Sequence, residues 1–167
     1  DDSLPDVEQL GHRVGKYQLR GEIGQGRMGT VYVAYDPTLD RKVAVKVLAP
    51  HLVCEPPFVD GFRRELRSAA KLDHPNIVTL HDAGRKEGRC YYVMNYIEGQ
   101  PLDEVIRERA PMTAEETLAI LRPLAEALDY AHGQGMVHGD MKPANVIVGP
   151  DGRVTLTDFA ISTRGAT

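Results

Sequence analysis

The stretch HGDMKPAN at residues 138–145, followed by DFA at residues 158–160, decides how this chain is interpreted. Between them, residues 146–148 and 154–157 are rich in β-formers and flank the turn signal GPDG. Two carboxylates, an amide and a lysine therefore lie close together along the chain, around a short predicted hairpin. Such a concentration of polar groups in loops predicts a functional site.

Each of these polar side chains suits one part of phosphoryl transfer. Asp140 can accept a proton from an attacking hydroxyl, and Lys142 can steady the transferring phosphoryl. Asn145 and Asp158 supply the hard oxygen ligands that Mg²⁺ prefers. For any one of these residues an ordinary surface loop is the plainer interpretation. The ordered set, taken together, predicts catalysis.

A glycine-rich turn, GQGRMGTV at residues 24–31, lies nearer the amino terminus. Gly24, Gly26 and Gly29 let backbone N–H groups come close to phosphate oxygens. An ordinary glycine hairpin is the alternative when the turn is considered alone. A dinucleotide-binding fold is disfavoured, because its glycine motif runs from a strand into a helix and this one joins two predicted strands.

The predicted strand RKVAVKVL at residues 41–48 carries Lys46 among side chains suited to burial. A lysine with apolar neighbours commonly extends to water. Glu65, however, falls on the apolar side of a predicted helix, three residues after Phe62 and four before Ala69. Because an inward carboxylate needs a cation, we predict a Lys46–Glu65 pair that holds the ammonium against the α- and β-phosphates of a nucleotide.

Hydrophobic periodicity predicts an α+β fold, with five strands and one inserted helix in the amino-terminal half and mainly helices after it. A short helix is expected from Pro101 to about Arg109. Thr113 and Glu116 form a capping-box pattern that opens a long helix, in which Pro123 predicts a local kink. The apolar stripe predicted for this helix consists of Leu118, Leu121, Leu124, Ala125, Leu128, Ala131 and His132.

Composition limits the function classes. The 167 residues, 42% hydrophobic and 26% charged, suit an ordinary globular domain, and the net charge of -4 argues against a nucleic-acid partner. Cys54 and Cys90 form no CxxC pair, so no disulfide and a reducing cytoplasm are expected. No apolar run reaches the roughly 20 residues that cross a bilayer, so no membrane contact is expected in this segment.

The motifs, in this order, resemble those of the eukaryotic-type (Hanks-type) serine/threonine protein kinases, especially the bacterial PknB-like group. Residues 24–31 resemble the GxGxxGxV loop, VAVK at residues 43–46 the VAxK strand, and Glu65 the glutamate of the family's αC helix. Residues 138–145 resemble the HxDxKPxN catalytic loop, and residues 158–160 the DFG site. The similarity runs from about Lys16 to the last residue.

The resemblance implies a protein-kinase-like domain organisation. Residues 1–15 are expected to be an amino-terminal extension, residues 16–97 the amino-terminal lobe, and residues 98–167 a partial carboxy-terminal lobe that ends after the DFG-like segment. Later helices of the family's fold are absent from these residues. The stripe on the long helix is therefore expected to be covered by a second copy or another partner.

The resemblance also implies an adenine pocket, for whose residues plain core packing is the other role. Its roof would be Val31 and Ala44, its floor Ile147, its gatekeeper Met94, and its hinge residues 95–97, with backbone groups of Asn95 and Ile97 bonded to the base. A stacked regulatory spine would consist of Ala69, Leu80, His138 and Phe159. His138 would then be a structural residue and no catalytic base.

The implied reaction is transfer of the γ-phosphoryl of ATP, with Mg²⁺ or with Mn²⁺ in its place, to a serine or threonine of a protein substrate or of the chain itself. Lys142, two residues after Asp140, resembles serine/threonine rather than tyrosine kinases. The sequence departs from the family pattern at Arg27, at Gly139 in place of the HRD arginine, and at Ala160 in place of the DFG glycine. Gly139, Ala160 and the lack of the later helices in these residues favour the alternative, a non-catalytic nucleotide-binding or scaffolding pseudokinase, whereas the presence of Lys46, Glu65, Asp140, Asn145 and Asp158 favours the kinase.

Overall fold

The structure is a computed structural model that describes residues 13–26, 28–49 and 56–158. The chain divides into two compact units. The first contains residues up to Gly61 together with residues 80–96, and the second contains residues 62–79 and everything from Ile97 onward. Residues 62–79 thus group with the second unit, whereas the predicted division placed them in the amino-terminal lobe.

The first unit is built on one antiparallel sheet with the strand order β1-β2-β3-β4-β6-β5. Its strands are β1 (Arg13–Val14), β2 (Tyr17–Gly26), β3 (Gly29–Asp36), β4 (Arg41–Leu48), β5 (Leu80–Lys86) and β6 (Arg89–Asn95). Within the part of the chain that the structure describes, the sheet has six strands, where five were predicted. The extra strand, β1, has only two residues, too few to show the alternation that marks a strand in a sequence.

A buried carboxylate fixes the turn between β3 and β4. Asp36 accepts hydrogen bonds from the backbone N–H groups of Thr38 and Leu39, and its carboxylate lies 3.7 Å from Lys16 and 3.6 Å from Arg41. Burial would raise the pKa of Asp36, but the two N–H groups and the two cations lower it below its ordinary value. The charged form of Asp36 therefore stabilises the hairpin that aligns β3 with β4.

The helix α1 (Pro56–Ala70) follows β4 in sequence. It ends before the segment from Asp73 to Ile77, whose proline disfavours further helix. Ile77 lies close to the next strand in the sequence, but β5 begins at Leu80. Ile77 instead forms an isolated bridge with Leu156, within the second unit.

The described residues of the second unit include the later part of α1, two further helices and a small antiparallel sheet. The helices are α2 (Leu102–Arg109) and α3 (Ala114–Gly133), and the strands β7 (Gln100–Pro101), β8 (Val146–Val148) and β9 (Val154–Leu156) pair in the order β7-β8-β9. The predicted capping box is confirmed. Thr113 accepts the backbone N–H of Glu116 at 3.1 Å, and the Glu116 carboxylate accepts the Thr113 N–H at 2.9 Å.

The buried side of α3 coincides with only part of the predicted stripe, because Leu124 and Ala131 are buried and Leu128 packs against the core. Leu118 and Leu121 are 45% and 50% exposed, and Ala125 and His132 are also exposed. The helix carries apolar residues on more than one side, so periodicity alone could not tell which side packs against the unit's core. The side that packs there consists of Ile120, Leu124, Ala127 and Ala131.

Cys90, on β6, is buried and disulfide-bonded, so the expectation of no disulfide is wrong. The chain's other cysteine, Cys54, lies outside the described residues. Cys90 lies in no CxxC or other disulfide motif, so no local pattern indicated a bond. Within the described parts of the chain, no helix has the length and apolar character needed to span a membrane.

Candidate functional site

The register of the first sheet brings several predicted nucleotide-binding residues to one face. Directly opposed residues of antiparallel strands share a face, and Val31 opposes Lys46 while Ala44 opposes Met94. Positions two apart on one strand also share a face, so Lys46 joins Ala44. The buried cluster that includes Tyr32, Val43, Val45 and Val93 occupies the alternate positions and hence the opposite face.

The three glycines of the glycine-rich turn have different surroundings. A Cβ on Gly29 would stand 2.1 Å from the carbonyl oxygen of Val47, so no side chain fits there. Gly29 also has a φ of +154°, which favours glycine. Among the described atoms, nothing lies within 4 Å of a Cβ built on Gly24 or Gly26. Packing against β4 thus requires Gly29, while Gly24 and Gly26 border open space.

The predicted hinge begins where β6 ends. Met94 is buried and opposes both Ala44 on β4 and Leu80 on β5. Asn95, the last residue of β6, is exposed and opposes Val43. Its backbone therefore emerges from the sheet at a position fixed by the ladder with β4.

The catalytic-loop residues form a connected set in the second unit. Lys142 Nζ lies 3.2 Å from Asp140 Oδ2. The Asn145 side-chain N–H₂ donates to the Asp140 carbonyl oxygen at 2.9 Å and lies 3.4 Å from Asp140 Oδ2. Asn145 is buried in a short 3-10 turn, whereas Asp140 and Lys142 are exposed. A buried amide and an exposed lysine thus both contact Asp140.

His138 links this loop to the chain just before Asp158. The backbone N–H of Asp140 donates to His138 Nδ1 at 3.1 Å, so Nε2 carries the proton and donates to the Thr157 carbonyl oxygen at 2.8 Å. The imidazole is buried and both of its nitrogens are engaged. This geometry gives His138 a structural role.

Thr157 makes a second link between the same segments. Its backbone N–H and its hydroxyl both donate to the Asn145 carbonyl oxygen, at 2.8 and 3.0 Å. Asp158 follows with a φ of +54°, a value that few residues other than glycine adopt. The hydrogen bonds of Thr157 fix the backbone immediately before Asp158.

The donor set around the catalytic loop fits a hard divalent cation. Because the Asn145 N–H₂ group points at Asp140, its Oδ1 oxygen is left out of those bonds. An amide oxygen and the Asp158 carboxylate are the ligand types that suit Mg²⁺ or Mn²⁺. Asn145 and Asp158 are therefore the residues that would hold the metal, and this assignment stays a prediction.

The remaining predicted site residues belong to different units or lie outside the described residues. Lys46 belongs to the first unit and Glu65 to the second, so their pairing stays a prediction. Ile147 is half-buried on β8 and Ile97 is half-buried after the first unit ends. Of the remaining positions, Arg27, Phe159 and Ala160 lie outside the described residues, and the regulatory spine that includes Phe159 stays a prediction.

Two residues of the site were missed in the sequence. Thr157 was assigned only to a strand, although a hydroxyl directly before a predicted metal-binding aspartate is a usable signal. His81 Nε2 lies 2.6 Å from Asn95 Oδ1, at the predicted hinge. Nothing in the local sequence marks His81, because its bond depends on the pairing of β5 with β6.

Comparisons with known proteins agree with this geometry. The protein kinase domain family matches residues 17–166. The chain is 41% identical to the serine/threonine-protein kinase PrkC of Bacillus subtilis over 155 residues, which are 92% of this chain and 24% of PrkC. It is 40% identical over 153 residues to the serine/threonine-protein kinase PknA of Mycobacterium tuberculosis, covering 89% of this chain and 36% of PknA.

Solved structures show the same likeness. The crystal structure of the PknI kinase domain of Mycobacterium tuberculosis superposes with a TM-score of 0.82 at 36% identity, covering 92% of this chain and 63% of that one. The chain therefore spans about a quarter to a third of the two curated relatives and under two thirds of the solved domain. With the kinase fold and the ordered motifs both present, the chain belongs to the protein kinase family.

Proposed function

We propose that the protein containing this chain is an ATP-dependent serine/threonine kinase that phosphorylates proteins, itself included. The observation that carries the proposal is the arrangement of Asp140, Lys142 and Asn145, in which a buried amide and a lysine both contact the same carboxylate. A carboxylate oriented in this way is suited to receive a substrate hydroxyl. The names of PrkC and PknA support serine and threonine as the acceptors.

In the proposed reaction, the oxygen of a serine or threonine hydroxyl forms a bond to the γ-phosphorus of ATP. The bond from that phosphorus to the β,γ-bridging oxygen breaks, and ADP leaves with the electron pair. The hydroxyl proton passes to Asp140, and Lys142 offsets charge on the transferring phosphoryl. Asn145 acts indirectly by keeping the Asp140 carboxylate oriented.

The nucleotide is proposed to bind the residues that the family motifs imply. Val31, Ala44, Met94 and Ile147, with backbone groups of Asn95 and Ile97, are proposed for the base, and backbone N–H groups at Gly24, Gly26 and Gly29 for the phosphates. Lys46, with Glu65 as its partner, is proposed for the α- and β-phosphates, and Asn145 and Asp158 are proposed to hold the metal. When bound, Mg²⁺ or Mn²⁺ neutralises phosphate charge.

A thermal-shift experiment tests nucleotide binding. ATP with Mg²⁺ should raise the melting temperature of the protein, because a ligand that binds only the folded state stabilises it. Lys46→Ala and Asp158→Asn should each reduce that rise, and His132→Ala, an exposed histidine of α3, is the control. If both variants keep the full rise, the nucleotide site is misassigned.

Transfer of label from γ-labelled ATP to protein tests the reaction itself. Asp140→Asn is expected to slow the transfer by about 10² to 10⁴-fold while leaving nucleotide binding in place. Labelled phosphoserine or phosphothreonine should be recovered from the product. Nucleotide binding without any transfer, in the natural protein and the variant alike, would identify a pseudokinase.

The covering partner predicted for α3 stays part of the proposal. The exposure of Leu118 and Leu121 supports a further contact surface there, with a second copy or with another protein surface. Light scattering with a hydrophobic dye tests it: a monodisperse monomer that binds no dye would rule it out.

A cytoplasmic location is proposed because ATP is abundant there. The disulfide-bonded state of Cys90 is uncommon in that compartment, so the thiol content of protein trapped rapidly with an alkylating reagent is the relevant measurement. Alkylation of both cysteines in freshly opened cells would support the cytoplasm, and full resistance to alkylation would contradict it.

A further inference from the structure

Two side-chain contacts hold the start of the predicted hinge, and they come from the strands on either side of β6. His81 of β5 bonds Asn95, with 2.6 Å between His81 Nε2 and Asn95 Oδ1. Lys42 of β4 lies over the ring of Tyr96, with its Nζ 5.0 Å from the ring centroid. All four residues belong to the first unit.

The position of His81 depends on an irregularity in the sheet. The pairing of β5 with β6 shifts register between Leu80 and Asp82, so Leu80 opposes Met94 and Asp82 opposes Val93. His81 is the extra residue at this bulge. Bulges redirect side chains and are frequent beside functional sites. Here the bulge lets the imidazole reach the residue that follows Met94.

The hydrogen bond has a fixed direction. An amide oxygen only accepts, so the His81 Nε2–H group donates to Asn95 Oδ1. The ladder between β5 and β6 has its last pair at Leu80 and Met94, and the His81 side chain bonds the next residue of β6. On the other side, Asn95 is held by its pairing with Val43.

We infer that His81 is a positioning residue for adenine recognition, which it serves by fixing Asn95 at the start of the hinge. The inference rests on the proposed function, in which backbone groups of residues 95–97 bond the base. A base hydrogen bond depends strongly on the direction of the backbone group that makes it. Restraining Asn95 before the ligand arrives lowers the conformational entropy lost on binding. Lys42 assists by restraining Tyr96.

Substitutions that affect binding of the base are expected to differ in their effects from substitutions that affect binding of the phosphates. In the protein as it occurs naturally, purified in full, His81→Ala should weaken adenosine and ATP by the same factor, about 3- to 10-fold, which corresponds to one hydrogen bond. Lys46→Ala should weaken ATP far more than adenosine. Titration calorimetry with both ligands measures these factors, and His132→Ala is the matched histidine control.

Two further variants distinguish positioning from a general structural role. His81→Gln retains a side-chain N–H donor and should recover most of the lost affinity. In a double-mutant cycle, Asn95→Ala should lower affinity by a similar factor and add little when combined with His81→Ala. In kinetics, His81→Ala should raise KM for ATP and leave kcat nearly unchanged.

The outcomes are distinct. If the unsubstituted protein binds neither adenosine nor ATP, the proposed function fails and this inference fails with it. If it binds both, and His81→Ala leaves adenosine affinity unchanged, the inference alone is overturned. Additive losses from His81→Ala and Asn95→Ala would overturn it as well. If His81→Ala does not fold, the affinities of His81→Gln and Asn95→Ala for adenosine decide the question. The inference requires that Asn95→Ala lowers adenosine affinity and that His81→Gln does not.

Discussion

Two glycines of the glycine-rich turn border open space, whereas hydrogen bonds hold the residues of the catalytic loop. Among the described atoms, none lies within 4 Å of a Cβ placed on Gly24 or Gly26. In the loop, hydrogen bonds of 2.8 to 3.0 Å join His138 to Thr157 and Thr157 to Asn145. The turn is suited to adapt its backbone to a ligand. The loop is suited to keep its geometry without one.

Gly29 breaks this contrast, because it belongs to the turn and yet is tightly packed. Gly29→Ala should destabilise the fold by about 1–3 kcal/mol, since its Cβ would stand 2.1 Å from the Val47 carbonyl oxygen. Chemical denaturation measures this loss. Gly26→Ala is the matched control and should change stability by less than about 0.5 kcal/mol. Equal losses for the two variants would refute the assigned difference.

Gly139, in the catalytic loop, is constrained by its backbone conformation rather than by close packing. Its φ is +82°, and no described atom lies within 4 Å of its Cβ position, so any substitution cost comes from the backbone. Gly139→Ala should cost about 1–2 kcal/mol. Gly139→Asn should cost less, because asparagine tolerates this region better. Denaturation of both variants provides the measurement, and a larger cost for asparagine would contradict the backbone explanation.

The same glycine bears on regulation. Without a guanidinium at position 139, no side chain there can pair with a phosphorylated activation loop. Phosphatase treatment of the natural protein should therefore leave most of its kinase activity. A large loss that is restored by rephosphorylation would contradict this expectation.

Thr157 tests whether the hydrogen bonds of the loop matter singly. Thr157→Val removes one hydroxyl but keeps the backbone N–H bond to Asn145, so a loss of about 0.5–1.5 kcal/mol is expected. Thr155→Val, at another buried position on the same segment, is the control. The substitution at Thr157 should also lower kcat, because Asn145 orients Asp140. A change in stability with kcat unaltered would mean that the link does not reach the carboxylate.

Glu116 lies outside both regions and provides the smallest expected effect. The Thr113 backbone N–H, and then Arg109, lower the pKa of Glu116 below its ordinary value near 4.5. The stabilisation from the charged carboxylate is therefore present above that value and lost as pH falls through the lower, folded-state pKa. Glu116→Gln should lower the melting temperature by a few degrees or less at pH 7 and by less still at pH 3, relative to the unsubstituted protein. Glu115→Gln is the control.

Features that are determined by residues close together in the sequence were predicted correctly. The capping box of α3 and the hairpin of β8 and β9 follow from short patterns, and the structure has them where they were expected. The packed side of α3 was predicted only in part, because a helix with apolar residues on several sides is oriented by its neighbours. The same limit applies to His81 and Asn95, which are 14 residues apart and meet only through a bulge.

The left-handed backbone at Asp158 decides which substitutions are informative there. At a φ of +54°, asparagine and aspartate are tolerated better than alanine. Asp158→Asn therefore removes the negative charge and keeps the local geometry, so its effect reports on the charge of the side chain without a change in the backbone. Asp158→Ala would combine the lost carboxylate with a backbone that prefers to relax toward negative φ. For this protein, an alanine scan would overstate the electrostatic importance of the position, and the difference between the two variants would measure the conformational part.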